Sequence, residues 1–273
     1  MPKKAPPVFL DYDQAALDAA YDQAAYAPNR EQLIKRRIRD SERARQRIGD
    51  PERAAYGAAE IEQLDIYRTG RAASPVFIFI HGGAWRSGRS RDFVTPAEMF
   101  TTAGAHYVVP DFAWVQDVGG SLIVLADQVC RTVAWVHRNA ADFGGDPNRL
   151  YLGGQSSGGH LAAVALTTDW QRNFGLPADI IKGGMCISGM YDLAPVRLSA
   201  RSAYVKCDGR RTEPDMPSRA TARAAGRRLR HLRDPRIPAS EPRICNRGQS
   251  SRQEGAAAGR RALQPLRIAG DPR

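Results

Sequence analysis

The sequence predicts an α/β protein with a mostly parallel sheet and helices on both faces. Three observations carry this. Short apolar runs alternate with longer amphipathic stretches, which implies parallel strands joined by right-handed helical crossovers. One run, Pro75-Val-Phe-Ile-Phe-Ile80, is apolar throughout and rich in β-branched and aromatic residues, as a strand covered on both faces requires. Two of the runs end in glycine-rich turns, and such sheets bind ligands beyond the carboxyl ends of their strands. The 273 residues suffice for one such domain with a sizeable core.

The elements follow in order. Residues 11–65 look helical and charged. Tyr12 to Tyr26 carries Ala, Leu and Tyr at helical intervals, and Asn29 is placed to cap a second helix from Arg30 to about Arg47. The charges of that helix are expected to form a solvated face. Ile61-Glu-Gln-Leu-Asp-Ile-Tyr67 alternates apolar and polar residues, so a strand near the sheet edge is expected. The Pro75–Ile80 strand runs into His81-Gly82-Gly83-Ala84-Trp85, where glycines let backbone N–H groups turn toward a ligand. His106 to Asp111 reads as a third strand. Ser121 to Phe143 reads as a long helix, with Leu122, Leu125, Val129, Val133 and Val136 near one stripe. Gly144 to Arg149 breaks it. Ile180 to Ser188 reads as a further buried strand.

The stretch Leu150-Tyr-Leu-Gly-Gly-Gln-Ser-Ser-Gly-Gly-His160 carries the chemistry. It reads as a strand, a tight turn and the start of a helix that runs to about Asp169. Gly154-Gln155-Ser156-Ser157-Gly158 fits the G-x-S-x-G nucleophile elbow. A serine at such a turn sits in a strained backbone conformation, so the residues two away on each side must be small. The helix that follows presents its N-terminal N–H groups to developing negative charge. Ser156 is the candidate nucleophile. His160, one helical turn further on, points back along its helix and is expected to be structural. His81 is expected to brace its loop. His106 and His137 sit in no motif.

Together, His81-Gly-Gly-Ala-Trp85 and Gly154-Gln-Ser-Ser-Gly-Gly-His160 resemble the α/β-hydrolase superfamily, and within it the arylformamidase (kynurenine formamidase) and carboxylesterase branch. The tyrosine-rich N-terminal segment and Ile187-Ser-Gly-Met-Tyr-Asp-Leu193 are also similar to that branch. The resemblance covers about residues 10–206. It implies hydrolysis of small aryl formamides or esters through an acyl-enzyme on Ser156, without metal or cofactor. It also implies an oxyanion hole from the N–H groups of Gly82, Gly83 and Ser157. Trp85 either walls an aromatic substrate pocket or packs beneath the loop.

Charge divides the chain. Residues 207–273 hold 16 Arg, no Lys and 7 acidic residues, and so carry +9 of the net +11. Residues 1–206 are close to neutral at +2. The four cysteines show no paired spacing, so neither zinc nor a disulfide framework is indicated. No run of about 18 apolar residues exists, and no apolar leader is read at the N-terminus. A cytoplasmic protein with a small-molecule substrate, and no membrane or nucleic-acid partner, is expected.

The triad partners of a serine nucleophile follow it in this superfamily. Here they are not recognisable. After Val205 there is no Val, Phe, Tyr or Trp, and the only histidine is His231 in an arginine-rich run. Abundant Arg without Lys, with few aromatics, is what a GC-rich gene gives when read out of frame. Leu263-Gln264-Pro265-Leu266-Arg267 can be encoded CTA-CAA-CCA-CTT-CGA, which shifted by one base reads Tyr-Asn-His-Phe. The expectation is a hydrolase domain over residues 1–206, incomplete in its last strands, and a tail over 207–273 that is disordered and frameshifted. A native basic tail and an RNA-binding arm are the alternatives for that segment. For the whole chain the alternative is an inactive truncated hydrolase, or a binding protein lacking the triad His and Asp. Asp192 is a candidate substitute acid.

Overall fold

The computed structural model describes residues 5–206. The arginine-rich segment 207–273, with His231 and the stretch 263–267, lies outside the described residues, as do the readings that fall on it.

Three helices come first: α1 (Gln14–Ala20), α2 (Gln23–Tyr26) and α3 (Arg30–Ile48). The expected helix over Tyr12–Tyr26 is therefore two. Asp22 interrupts it, because its carboxylate accepts the N–H of Ala24 at 2.9 Å and starts a new helix. Asn29 stands at the N-cap of α3 but makes no side-chain capping bond. The strands are β1 (Glu52–Ala55), β2 (Gln63–Tyr67), β3 (Ser74–Ile80), β4 (His106–Pro110), β5 (Gly145–Gln155) and β6 (Ile181–Ile187). Between and after them run α4 (Thr95–Thr102), α5 (Leu122–Asn139), α6 (Ser157–Thr167), α7 (Trp170–Phe174) and α8 (Ala194–Leu198).

The sheet has the order β1-β2-β4-β3-β5-β6. Strands β4, β3, β5 and β6 are parallel, and β1 and β2 join antiparallel at one side. The mostly parallel sheet is as expected; β1 is not. Its sequence, Glu-Arg-Ala-Ala, has no β-branched or aromatic residue, and it is held by pairing with β2, Glu52 opposite Ile66.

β3 lies in the middle and shows why its run is apolar throughout. Val76, Ile78 and Ile80 face a core completed by α5 and α6, with Leu125, Val129, Val133 and Leu161 among its members. Phe77 and Phe79 face the opposite core, shared with Tyr107, Phe93, Ala97 and Ala44 of α3. Both faces of the sheet are thus covered by helices. α3 is fastened to its face by Ser41, whose Oγ donates to the Asp92 carbonyl at 2.9 Å and accepts the Val94 N–H at 3.1 Å. At its end Arg47 grips Glu98 with two bonds, at 2.6 and 2.7 Å.

β6 departs from the expected buried strand. It is half-buried, with Met185 49% and Ile187 41% exposed, because among the described residues it has a neighbour on one side only. None of the described helices is long and apolar enough to cross a membrane.

Candidate active site

The site forms where β3 and β5 end side by side, with Ile80 opposite Gly154. β5 stops at Gln155, α6 starts at Ser157, and Ser156 between them has φ 58° and ψ −124°. A side chain other than glycine rarely holds this conformation, which costs on the order of 1–3 kcal/mol and needs support from its surroundings. The support is visible. The Ser156 N–H donates to the Ile187 carbonyl at 2.8 Å, and its carbonyl accepts the His160 N–H at 3.1 Å. The turn is also too tight for side chains on its flanks. A Cβ on Gly154 would overlap the Gly158 carbonyl, and one on Gly158 would overlap the carbonyls of Ile80 and His81. These contacts supply the steric reason for small residues two away from Ser156 on each side.

The loop after β3 passes against this turn. A Cβ built on Gly82 would lie 3.3 Å from the Cβ of Ser156 and 2.8 Å from the Gln155 carbonyl oxygen. Gly83 has φ 137°, and Ala84 and Trp85 are left-handed at φ 55° and 61°. Such a run of positive φ turns the chain sharply, and the Arg86 N–H closes it onto the Gly83 carbonyl at 3.0 Å. No carbonyl or side chain of the described residues accepts from the N–H groups of Gly82 or Gly83. Ser157 opens α6, where first-turn N–H groups have no partner within the helix.

His81 is buried beneath the loop. Its ring stacks on Phe112 at 4.3 Å and on Phe93 at 5.1 Å, and its Nδ1 donates to the Gly82 carbonyl at 3.0 Å. Burial holds its pKa below the ordinary value, so it stays neutral and braces the loop. His160 is also buried, and desolvation pushes its pKa down to about 4. It meets Trp85 edge-on, with ring centroids 5.5 Å apart. Trp85 itself is 1% exposed and belongs to the core. The packed-aromatic alternative therefore holds for Trp85, and the substrate-wall alternative is corrected. The turn at Ala84 and Trp85 sends the indole inward, while the aromatic that does line the cleft is Trp114. Its Nε1 donates to the Gly88 carbonyl at 3.1 Å.

That cleft has a volume of about 1350 Å³ and contains Gly82, Gly83 and Ser156 in its lining. Its opposite wall is α3. The helix whose charges are expected to be merely solvated thus shares the lining of this cleft with the candidate nucleophile. Trp114, Arg89 and the arginines of α3 were not foreseen in the site.

The Ser156 hydroxyl has no hydrogen-bond partner among the described residues, and no histidine there reaches it. Asp192 is exposed, and its carboxylate accepts the Ala194 N–H at 2.9 Å, as a loop-capping aspartate does. The described residues contain no group of three or more His, Cys, Asp or Glu placed to hold a metal ion.

The BD-FAE family model matches residues 64–182. Kynurenine formamidase of Danio rerio is 34% identical over 143 residues, 52% of this chain and 46% of that protein. Isoprenylcysteine alpha-carbonyl methylesterase of Arabidopsis thaliana is 32% identical over 114 residues, 41% of this chain and 26% of that protein. The matches therefore take in about half, or less, of these relatives' length. A provisionally named thioesterase from Silicibacter sp. TM1040 superposes with a TM-score of 0.60 at 22% identity, covering 70% of each chain. The fold is that of the α/β-hydrolases, and the resemblance to their arylformamidase and esterase branch is borne out.

Proposed function

We propose that this chain, with its α/β-hydrolase fold and its relatives in the arylformamidase and esterase branch, is a serine hydrolase of small aryl formamides or esters. The observation that carries the reading is Ser156, held at φ 58° on the turn from β5 to α6 and flanked by the Gly82 loop. The Ser156 Oγ attacks the carbonyl carbon of the substrate. A C–O bond forms, the hydroxyl proton passes to a base, and the carbonyl oxygen takes the negative charge. The N–H groups of Gly82, Gly83 and Ser157 receive that charge, and losing one such donor costs roughly 10²–10³ in rate. The intermediate collapses with departure of the protonated amine or alcohol. Water then releases formate or the carboxylic acid and restores the serine. No described residue supplies the base, so the reading requires it from outside residues 5–206.

One observation favours a second reading, a hydrolase fold that binds without turnover: the Ser156 hydroxyl meets no histidine among the described residues. Removing triad members leaves about 10³–10⁴ over water from the remaining machinery. A fluorophosphonate probe separates the two. Stoichiometric labelling of wild type, lost in Ser156→Ala, supports the hydrolase. No labelling of wild type sinks it. With labelling in hand, N-formylkynurenine and p-nitrophenyl acetate compared as substrates assign the chain to formamide or ester hydrolysis.

A further inference from the structure

The loop that carries Gly82 and Gly83 and the helix that follows Ser156 lie close together without a polar tie. Among the described residues no hydrogen bond or ion pair joins residues 82–88 to residues 155–167. The loop bonds to itself, through Arg86 and Ser87 to the Gly83 carbonyl, and to the segment after β4, where the Trp85 carbonyl accepts the Val115 N–H at 2.7 Å. Its place against the nucleophile is therefore set by packing.

One packed pair spans the two. Trp85, two residues after Gly83, meets His160 of the first turn of α6 edge-on, with ring centroids 5.5 Å apart and planes at 88°. Both are 1% exposed. Trp85 Nε1 and His160 Nδ1 are shielded from water, and neither has a hydrogen-bond partner among the described residues. The contact between the rings is thus one of shape, in an arrangement worth about 0.5–1.5 kcal/mol beyond the area buried. His160 is further tied to the elbow by its backbone, whose N–H donates to the Ser156 carbonyl at 3.1 Å. Burial alone lowers its pKa, to about 4, and no charged neighbour adds to this, so the ring is a neutral surface at neutral pH and not a proton carrier. The loop needs such a surface. Ala84 and Trp85 hold φ of 55° and 61°, and backbone in this region relaxes unless its surroundings fix it.

We infer that His160 is a positioning residue: acting through Trp85, it sets the Gly82–Gly83 loop against Ser156. For the chemistry it serves, this rests on the serine hydrolase reading; the seating of the loop does not.

The test on the full chain has two arms. Hydrogen exchange at neutral pH reads the loop, and kcat and KM on p-nitrophenyl acetate, with active serines counted by the fluorophosphonate, read the chemistry. His160→Ala is expected to speed exchange across residues 82–88 about tenfold and to leave α5 unchanged. Trp85→Leu should do the same, and the double variant no more than either alone. His160→Phe, which keeps a ring without nitrogens, should stay within about twofold of wild type. In the second arm His160→Ala should lose about tenfold in kcat per labelled serine at unchanged KM, since a displacement of about 1 Å costs up to about 10². Loop amides no faster in His160→Ala overturn the inference. An equal rise in α5 does so too, because His160 would then be merely structural. Additive single and double effects overturn the route through Trp85, and a loosened loop with kcat intact overturns the positioning role. If His160→Ala does not fold, His160→Leu, which removes the ring with less loss of volume, takes its place. The hydrolase reading fails separately: a wild type that takes no label loses the serine chemistry, while the exchange arm still decides the seating.

Discussion

Replacing Glu62 by Gln should cost stability at neutral pH and cost nothing in strong acid. Glu62 is 4% exposed and takes a bond from the Arg131 guanidinium, with others from Gln128 Nε2 and the Ala59 N–H, each at 3.1 Å. The Arg131 bond, helped by the Ala59 and Gln128 donors and opposed by burial, holds its pKa down to about 2, against an ordinary 4.5. The drop from 4.5 to about 2 corresponds to about 3.5 kcal/mol, at about 1.4 kcal/mol for each tenfold change in proton affinity. Arg131 is a third exposed, so solvent screening lowers the realised value, and a loss of about 1.5–3 kcal/mol is expected. The sign follows from linkage. The folded pKa is depressed, so the contribution is whole above about pH 4.5 and is lost as pH falls toward 2. Urea unfolding of wild type and Glu62→Gln, from neutral pH down to about pH 2.5, reads the gap between them. It should be widest at neutral pH and close steadily below about 4.5. A gap that stays constant across that range would refute the reasoning, because packing and not charge would then hold Glu62. The consequence reaches the site. Gln128, which donates to Glu62, also accepts the Ala113 N–H at 2.9 Å, next to the Phe112 ring that backs His81.

Two further predictions bear on the elbow. Gly158→Ala should destabilise the fold by about 1–3 kcal/mol or more, because its Cβ meets backbone carbonyls of Ile80 and His81 that cannot swing away; a urea midpoint equal to wild type would contradict this. His160 is neutral in the folded protein down to about pH 4 but titrates near its ordinary 6.5 when unfolded, so stability should drain as pH falls between those values. His160→Asn should remove that part of the acid sensitivity, and an unchanged pH–stability slope between 6.5 and 4 would count against the assignment.

The parts of the fold that were legible in the sequence are those where local chemistry and tertiary setting agree. β3 is apolar from Pro75 to Ile80 because two cores claim its two sets of side chains, so its sequence carries the signal unaided. The elbow was legible because its glycines answer to contacts within one turn, Gly154 against Gly158 and Gly158 against the end of β3. β1 was illegible for the opposite reason. Nothing in Glu-Arg-Ala-Ala prefers a strand, and what fixes it is a ladder with β2 and the Arg53 bonds to Asp65 and Asp111, both set by residues further along the chain. Trp85 was ambiguous because a tryptophan after two glycines can turn either way, and the left-handed backbone at Ala84 and Trp85 decides it.

The basic wall of the cleft is the instructive omission, because a signal for it existed. α3 carries eight basic and three acidic residues, a net of +5 in a stretch of 1–206 whose total is only +2. Everything else in that stretch is therefore net acidic, and the excess is concentrated on one helix. A solvated helix gains little from such an imbalance, since like charges three and four residues apart repel. In the structure α3 is fastened through Ser41 to Asp92 and Val94, and its basic residues line the same cleft as Ser156. Composition averaged over the chain hides this, because the tail dominates the total and the body averages to near zero. Charge counted helix by helix exposes it, at +5 on α3 against −3 for the rest of residues 1–206.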